Sequence, residues 1–249
     1  MWTETLYRVS CNDPSLKWID AMCFLIGDSG CRQLADALTT SNNSCTKRLN
    51  LRLNRIGWEG TRALTNALLM YPSVVVELNL GANDLRDKGA FEIATFLQSN
   101  RTLTKLSLIR CNITASGMQA IAISIRHNST LTWLNVADNH PGEDTSGVTE
   151  MITTLEMNPT LRYLQIDSPD RHYFVRVNEL VQCHCKIYQW NQLIRGTMLI
   201  PFAATQSQND ARKVYPYCLS KIAQNQFALG IIYGLVKDFS TIFVGRYRS

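Results

Sequence analysis

The sequence lacks the short motifs that most enzymes carry. No G-x-x-x-x-G-K, G-x-G-x-x-G, H-E-x-x-H or G-x-S-x-G occurs in its 249 residues, so the common phosphate cradles, zinc helices and nucleophile elbows are missing. Charge is sparse as well: 18% of residues are Asp, Glu, Lys or Arg, and no five of one sign run together. The net charge of +5 is therefore spread out, whereas nucleic-acid binders concentrate Lys and Arg into patches or stripes. Nucleic acid is accordingly not the expected partner. Long apolar runs are also wanting. The most apolar stretch, Phe227 to Val236, is about half the ~20 residues that span a bilayer, and Lys237-Asp238 ends it. The opening Met1-Trp2-Thr3-Glu4-Thr5 has no basic region and no apolar region. No secretory signal is read there, and a cytoplasmic chain without a membrane partner is expected.

Histidine is scarce, with four in the chain, and Cys183-His184-Cys185 is the one cluster that hints at a metal. A closed zinc site needs four ligands, and no second pair follows at a suitable spacing; Cys218 is the one other thiol nearby. On a helix, Cys183 and Cys185 would point to different faces. No metal, cofactor or small-molecule substrate is expected, and no catalytic residue, because nothing accompanies the Cys–His pair as an oxyanion hole or orienting group. Four of the eight cysteines fall inside a repeat pattern, which argues for reduced thiols rather than a disulfide framework.

That repeat is what the sequence does have. One phrase recurs, with apolar residues at positions 1, 4 and 6, Asn or Cys at 9, an aliphatic at 11 and Gly near 15. The clearest copies start at Val75 (Leu78, Leu80, Asn83, Leu85, Gly89) and Leu103 (Leu106, Leu108, Cys111, Ile113, Gly117). Others start at Thr46 (Leu49, Leu51, Asn54, Ile56, Gly60) and at Leu131 (Leu134, Val136, Asn139, Pro141, with Gly147 displaced by an insertion). Weaker end copies start at Leu16 and Leu161. The starts at 16, 46, 75, 103, 131 and 161 lie 28 to 30 residues apart. Positions 4 and 6 are one face of a short strand, at period two. Later in each unit the period changes. Leu34, Ala35 and Leu38 correspond to Ile93, Ala94 and Leu97 and to Ile121, Ala122 and Ile125, spaced as one side of a helix. Each unit is thus strand, loop and helix, and stacked units form a parallel sheet with helices outside.

The Asn or Cys at position 9 stands where the chain leaves the strand and its backbone groups lose their sheet partners. An inward amide or thiol can satisfy them from unit to unit, so Asn54, Asn83, Cys111 and Asn139 are expected to form a structural ladder. Phe24 and Pro169 interrupt it at the two ends, as atypical terminal repeats would. Asn100, Asn128 and Asn158, three residues before the next start, are expected to end helices in the left-handed conformation. The sequons at Asn42, Asn100, Asn112 and Asn128 lie in repeat turns and mean nothing without a secretory route.

On these residues the chain resembles the leucine-rich-repeat family, in the subclass with 28- or 29-residue repeats typified by ribonuclease inhibitor. The resemblance covers residues 16 to about 170. It implies an α/β leucine-rich-repeat solenoid, a curved parallel sheet inside and helices outside, usually used to recognise another protein. Residues 1–15 hold an echo of the strand phrase (Leu6, Val9, Cys11) and are read as an N-terminal cap strand. Residues 171–249 leave the repeat; Val175 to Arg195 and Ala211 to Val236 have helical spacing and are read as a helical C-terminal cap.

Strand alternation then aims positions 3, 5 and 7 away from the core, onto the concave face. Position 3 gives Trp18, Arg48, Glu77, Lys105, Trp133 and Tyr163. Position 7 contributes Arg52, and position 5 gives a polar column from Asp20 and Asn50 to Gln165 that is either a solvated row or part of a surface. Aromatics and Arg dominate interface energetics, so these outward residues are the expected partner-binding set. A protein-binding module or adaptor is the first functional expectation. The alternative is a GTPase activator of the Ran-activator type, by analogy of fold alone. A third reading, a piece of a larger innate-immunity-type receptor, has no nucleotide-binding motif to support it.

Overall fold

Residues 1–41, 44–70, 74–140, 144–167, 175–182 and 184–185 are described by the computed structural model. Residues 1–182 make one compact unit, which carries the repeats, and 183–249 make a second. The elements of the first unit alternate in chain order. Helix α1 (Trp2–Ser10) precedes β1 (Trp18–Asp20), α2 (Gly27–Thr40), β2 (Arg48–Asn50), α3 (Trp58–Met70) and β3 (Glu77–Asn79). Then come α4 (Arg86–Ser99), β4 (Lys105–Ser107), α5 (Ala115–Ile125), β5 (Trp133–Asn135), α6 (Ser146–Met157) and β6 (Tyr163–Gln165). The six strands form one parallel sheet in the order of the sequence.

The register is that of the repeat. Position 3 pairs with position 3 throughout, as Trp18, Arg48, Glu77, Lys105, Trp133 and Tyr163 in turn. A one-residue slip would turn the apolar set outward, and positions 4 and 6 are buried in every unit, from Ile19 and Ala21 to Leu164 and Ile166. The helical triplets bury the facing side, with Leu34, Leu64, Ile93, Ile121 and Met151 fully enclosed. Consecutive helices pack on each other. Strands in a sheet stand about 4.8 Å apart and packed helices about 8–10 Å, so the stack bends with the sheet on its inner side.

The glycine near position 15 narrows that difference. A Cβ on Gly117 would meet the Oδ1 of Asp87 at 2.6 Å and the Cβ of Ala90 at 2.9 Å, both from the preceding unit. Two aspartates at the helix starts also reach across. Asp28 Oδ1 accepts the N–H groups of Gly57 (2.7 Å) and Gly60 (3.0 Å). Asp87 accepts the N–H and the hydroxyl of Thr114 at 2.8 and 2.7 Å. Each carboxylate thus satisfies donors at the start of the next unit's helix.

Position 9 forms an amide ladder. The Asn83 Oδ1 accepts the N–H groups of Asn54 (2.8 Å) and Ile56 (3.0 Å), while its Nδ2 donates to the carbonyls of Leu51 (2.9 Å) and Leu80 (2.7 Å). Asn139 repeats the pattern on Cys111, Ile113, Leu108 and Val136. Asn54 donates to Ala21 and Arg52, and the Cys111 thiol donates to the Leu80 carbonyl at 3.3 Å. The residue just before, at position 8, has positive φ in five units: Cys23, Leu53, Ala82, Arg110 and Asp138, all between 54° and 63°. The ladder holds this left-handed turn in residues that do not favour it.

Two expectations are corrected. Residues 1–15 begin with a helix, not a cap strand; Trp2, Leu6 and Val9 recur at helical spacing and turn inward. Trp2 meets Phe24 edge to face at 6.4 Å, so the bulky residue that interrupts the ladder seats the N-terminal helix. Asn100 and Asn158 are not left-handed but extended (φ −71° and −119°). They end their helices through their side chains instead. Asn100 Oδ1 accepts the N–H groups of Thr102 and Leu103. Asn128 does the same for Thr130 and Leu131, and its Nδ2 donates to the Leu97 carbonyl one unit back at 2.8 Å. Asn158 donates to Ile125 and Asn128 carbonyls. This is a second amide ladder, at the turn from helix to strand. Pro141, Pro169 and nearly all of the expected C-terminal cap lie outside the described residues; within that cap, 175–182 are helical.

Candidate functional site

The inner sheet face is built by strand alternation. Residues 4 and 6 of each unit face the helices, so 3, 5 and 7 face out, and the parallel register sets equivalent side chains in rows. Row 3 carries charge in its middle and aromatics at its ends. Glu77, half-buried, accepts ion pairs from both neighbours, Arg48 at 3.4 Å and Lys105 at 2.9 Å. Both cations are more than half exposed, so these pairs add little stability, but they set the position of three side chains. At the far end Trp133 and Tyr163 stack face to face, ring centroids 4.8 Å apart and planes 5° from parallel. At the near end Trp18 is 56% exposed. Between them lies a depression of about 480 Å³ whose lining includes Trp18, Arg48, Glu77, Lys105 and Trp133.

Five of the seven residues expected on the face thus share one depression. Tyr163 adjoins it through the stack. Arg52, beyond the end of β2, is half-buried, and its Nε is enclosed with no hydrogen-bond partner among the described residues. No ion pair is formed by its guanidinium among those residues.

Row 5 is the polar column, and its Asp and Asn members bond to nearby backbone. Asp20, Asn50, Asn79 and Asn135 each accept, through Oδ1, the N–H two residues on, at 3.3, 3.4, 3.0 and 3.0 Å. Their first task is local: they close the strand ends as Asx turns. They also link along the row, Asn50 Nδ2 to Asp20 at 2.9 Å and Asn135 Nδ2 to Gln165 at 2.9 Å. The signal was present in the sequence as Asx at the last residue of four of the six strands. Row 7 mixes Met22, Gly81 and Ile109 with Arg52 and Asp167, so the face has no uniform sign.

Two thiols elsewhere are deeply buried. Burial pushes Cys31 and Cys111 up to about 12, and no group of three or more His, Cys, Asp or Glu able to hold a metal occurs among the described residues. Cys183 of the Cys-His-Cys cluster lies outside them. No described helix is long and apolar enough to cross a membrane.

A family model described as Leucine Rich repeat matches residues 72–94 and 99–122. The chain is 32% identical over 129 residues to human NACHT, LRR and PYD domains-containing protein 13, covering 52% of this chain and 12% of that relative. It is 28% identical over 183 residues to the pig (Sus scrofa) ribonuclease inhibitor, covering 62% of this chain and 39% of the inhibitor. The chain therefore spans well under half the length of these curated relatives. Among solved structures, leiomodin-1 actin-binding site 2 superposes with a TM-score of 0.56 at 21% identity, over 80% of this chain and 98% of that one. That likeness is one of fold. From its repeat, its sheet and its relatives together, the chain carries leucine-rich repeats and has ribonuclease-inhibitor-like relatives.

Proposed function

We propose that the chain is a protein-binding module that seats its partner on the inner face of the sheet, without catalysis. The observation that carries this is row 3. An exposed Trp, a second Trp stacked on Tyr163 and a fixed Arg–Glu–Lys triplet stand in one row, and all but Tyr163 line one depression. Large rigid aromatics and Arg are the side chains from which interface hot spots are made. Relatives whose names denote binding to ribonuclease and to actin support a protein as the partner class, and make these two proteins the first defined probes.

The test compares the wild-type chain with a Trp133→Ala, Arg52→Ala double variant of matched circular dichroism. Immobilised chains are offered ribonuclease, actin and then native lysate. A partner held by wild type should bind the variant at least about 30-fold more weakly, as a lost hot spot requires. Equal binding to both would move the site off the sheet.

A further inference from the structure

The charge on the inner face is uneven, and its unevenness identifies the kind of segment the face takes. Over the whole face the signs balance, with Arg48, Arg52 and Lys105 against Asp20, Glu77 and Asp167. The anions at the two edges are engaged, however. The Asp20 carboxylate accepts from Asn50 and from the Met22 N–H, and Asp167 accepts the Asp138 N–H. In the middle, on β2 to β4, one carboxylate, Glu77, is shared by two cations. Arg52, four residues on from Arg48 and outside the lining of the depression, has an enclosed, unpartnered Nε and no counter-ion among the described residues. The centre of the depression is thus short of negative charge, while Trp18 and the Trp133–Tyr163 stack bound it with apolar surface.

We infer that the depression binds an extended acidic peptide segment of a protein partner, about six residues long, apolar at both ends and carrying carboxylates between. The proposal rests on the inner face being the binding site. Its length follows from the register. Trp18 and Trp133 are four strand spacings apart, about 19 Å, which an extended chain rising about 3.3 Å per residue covers in roughly six residues. A carboxylate near one end of that span meets Arg48 on β2, and one near the other meets Lys105 on β4. A guanidinium whose remaining donors are unpaired offers a fork suited to a carboxylate. Apolar ends cover the indole faces. A basic segment would add cations to a centre already rich in them.

The experiment measures fluorescence anisotropy of labelled hexapeptides against the full chain. The acidic probe is Phe-Glu-Gly-Ser-Glu-Leu, and its controls replace both Glu by Gln or by Lys. The acidic peptide is expected to bind tightest and the Lys peptide weakest, with affinity falling as salt rises. Glu77→Gln removes the competing carboxylate and should tighten the acidic peptide by about two- to five-fold, the range of an exposed ion pair. Arg48→Gln should weaken the acidic peptide and leave the Gln peptide unchanged. Equal affinity for acidic and Gln peptides, both lost on Trp133→Ala, would overturn the charge preference and leave the face as the site. Looser acidic-peptide binding by Glu77→Gln would overturn it as well. If neither peptide bound while a protein partner was held through Trp133 and Arg52, the short acidic segment would be the wrong occupant. Peptide binding untouched by Trp133→Ala would overturn both this assignment and the inner face as the site.

Discussion

Asn83 offers the sharpest test of how the stack is held. Its side chain is 4% exposed and joins two units: Oδ1 takes two backbone N–H groups, from Asn54 and Ile56, and Nδ2 serves the carbonyls of Leu51 and Leu80. Replacing it by Ala removes the acceptor for two buried donors at once. Each buried donor left unsatisfied costs about 1–3 kcal/mol, so Asn83→Ala should destabilise by about 2–6 kcal/mol. The carbonyls add less, since each has a second lone pair and that of Leu80 keeps the Cys111 thiol. The chain contains its own yardstick in Cys111, which occupies the same position one unit later. Its thiol keeps the donor half, to Leu80 at 3.3 Å, but sulfur is a weak acceptor. Asn83→Cys should therefore fall between wild type and Asn83→Ala, and Cys111→Asn should be neutral or stabilising. Stacked repeats can unfold in steps, so denaturation in urea should be followed by circular dichroism and by tryptophan fluorescence together. A loss of about 4 kcal/mol corresponds to some 8–16 °C in Tm for a chain of this size. If Asn83→Ala cost less than about 1 kcal/mol, or the Cys variant proved worse than the Ala variant, the amides would not be holding the units together.

Gly117→Ala should destabilise by about 1–3 kcal/mol, because its Cβ would meet Asp87 Oδ1 at 2.6 Å and Ile113 Cγ2 at 2.7 Å; an unchanged urea midpoint would refute the close approach. Asp87→Ala should cost about 1 kcal/mol through the lost N–H and hydroxyl of Thr114, and the thermal midpoint is the check. Cys31 and Cys111, enclosed and pushed up to about 12, should resist alkylation in the folded chain while exposed Cys11 and Cys23 react, as peptide mass mapping would read. The same two thiols ionise near 8.5 once unfolded, so the folded state holds protons that the unfolded state releases. Their stabilisation is complete below about pH 8.5 and shrinks as pH rises toward 12, by up to ~1.4 kcal/mol per pH unit for each thiol. Above pH 9 the urea midpoint of wild type should fall more steeply than that of Cys111→Ala, and parallel slopes would refute this.

The repeat was legible because its information is periodic. Burial at positions 4 and 6 and the switch to helical spacing follow from the positions of Leu, Ile and Val alone, and the register follows from the repeat length. Residues whose role depends on a rotamer were not legible. Asn100 and Asn158 suit a left-handed backbone or a side-chain cap equally, and only the surrounding backbone groups, an N–H for Asn100 and a carbonyl for Asn158, decide for the cap. Asp20 and Asn50 read as surface until their Oδ1 atoms are seen closing the strand exits. At the N-terminus, Leu6, Val9 and Cys11 fitted the strand phrase, and Trp2, which gives the segment its helical face, lay outside that phrase. Outward positions at the candidate face came from alternation, but the sharing of Glu77 between two cations and the Trp133–Tyr163 stack arise between neighbouring units and have no signature within one.

The second amide ladder bears on how the chain can be modified. Asn100-Arg101-Thr102 and Asn128-Ser129-Thr130 spell glycosylation sequons, yet in both the Asn is buried and its amide and the Thr are bonded within one turn. The related Asn158-Pro159-Thr160, whose Pro rules out a glycan, makes the same Asn-to-Thr backbone contact. These triplets recur because the helix-to-strand turn needs them, so their match to a glycan acceptor is a coincidence of chemistry. Attaching a sugar to Asn128 would take its Nδ2 from the Leu97 carbonyl and force a bulky polar group between two units. For this chain, carrying a glycan at either position and stacking its repeats are mutually exclusive states.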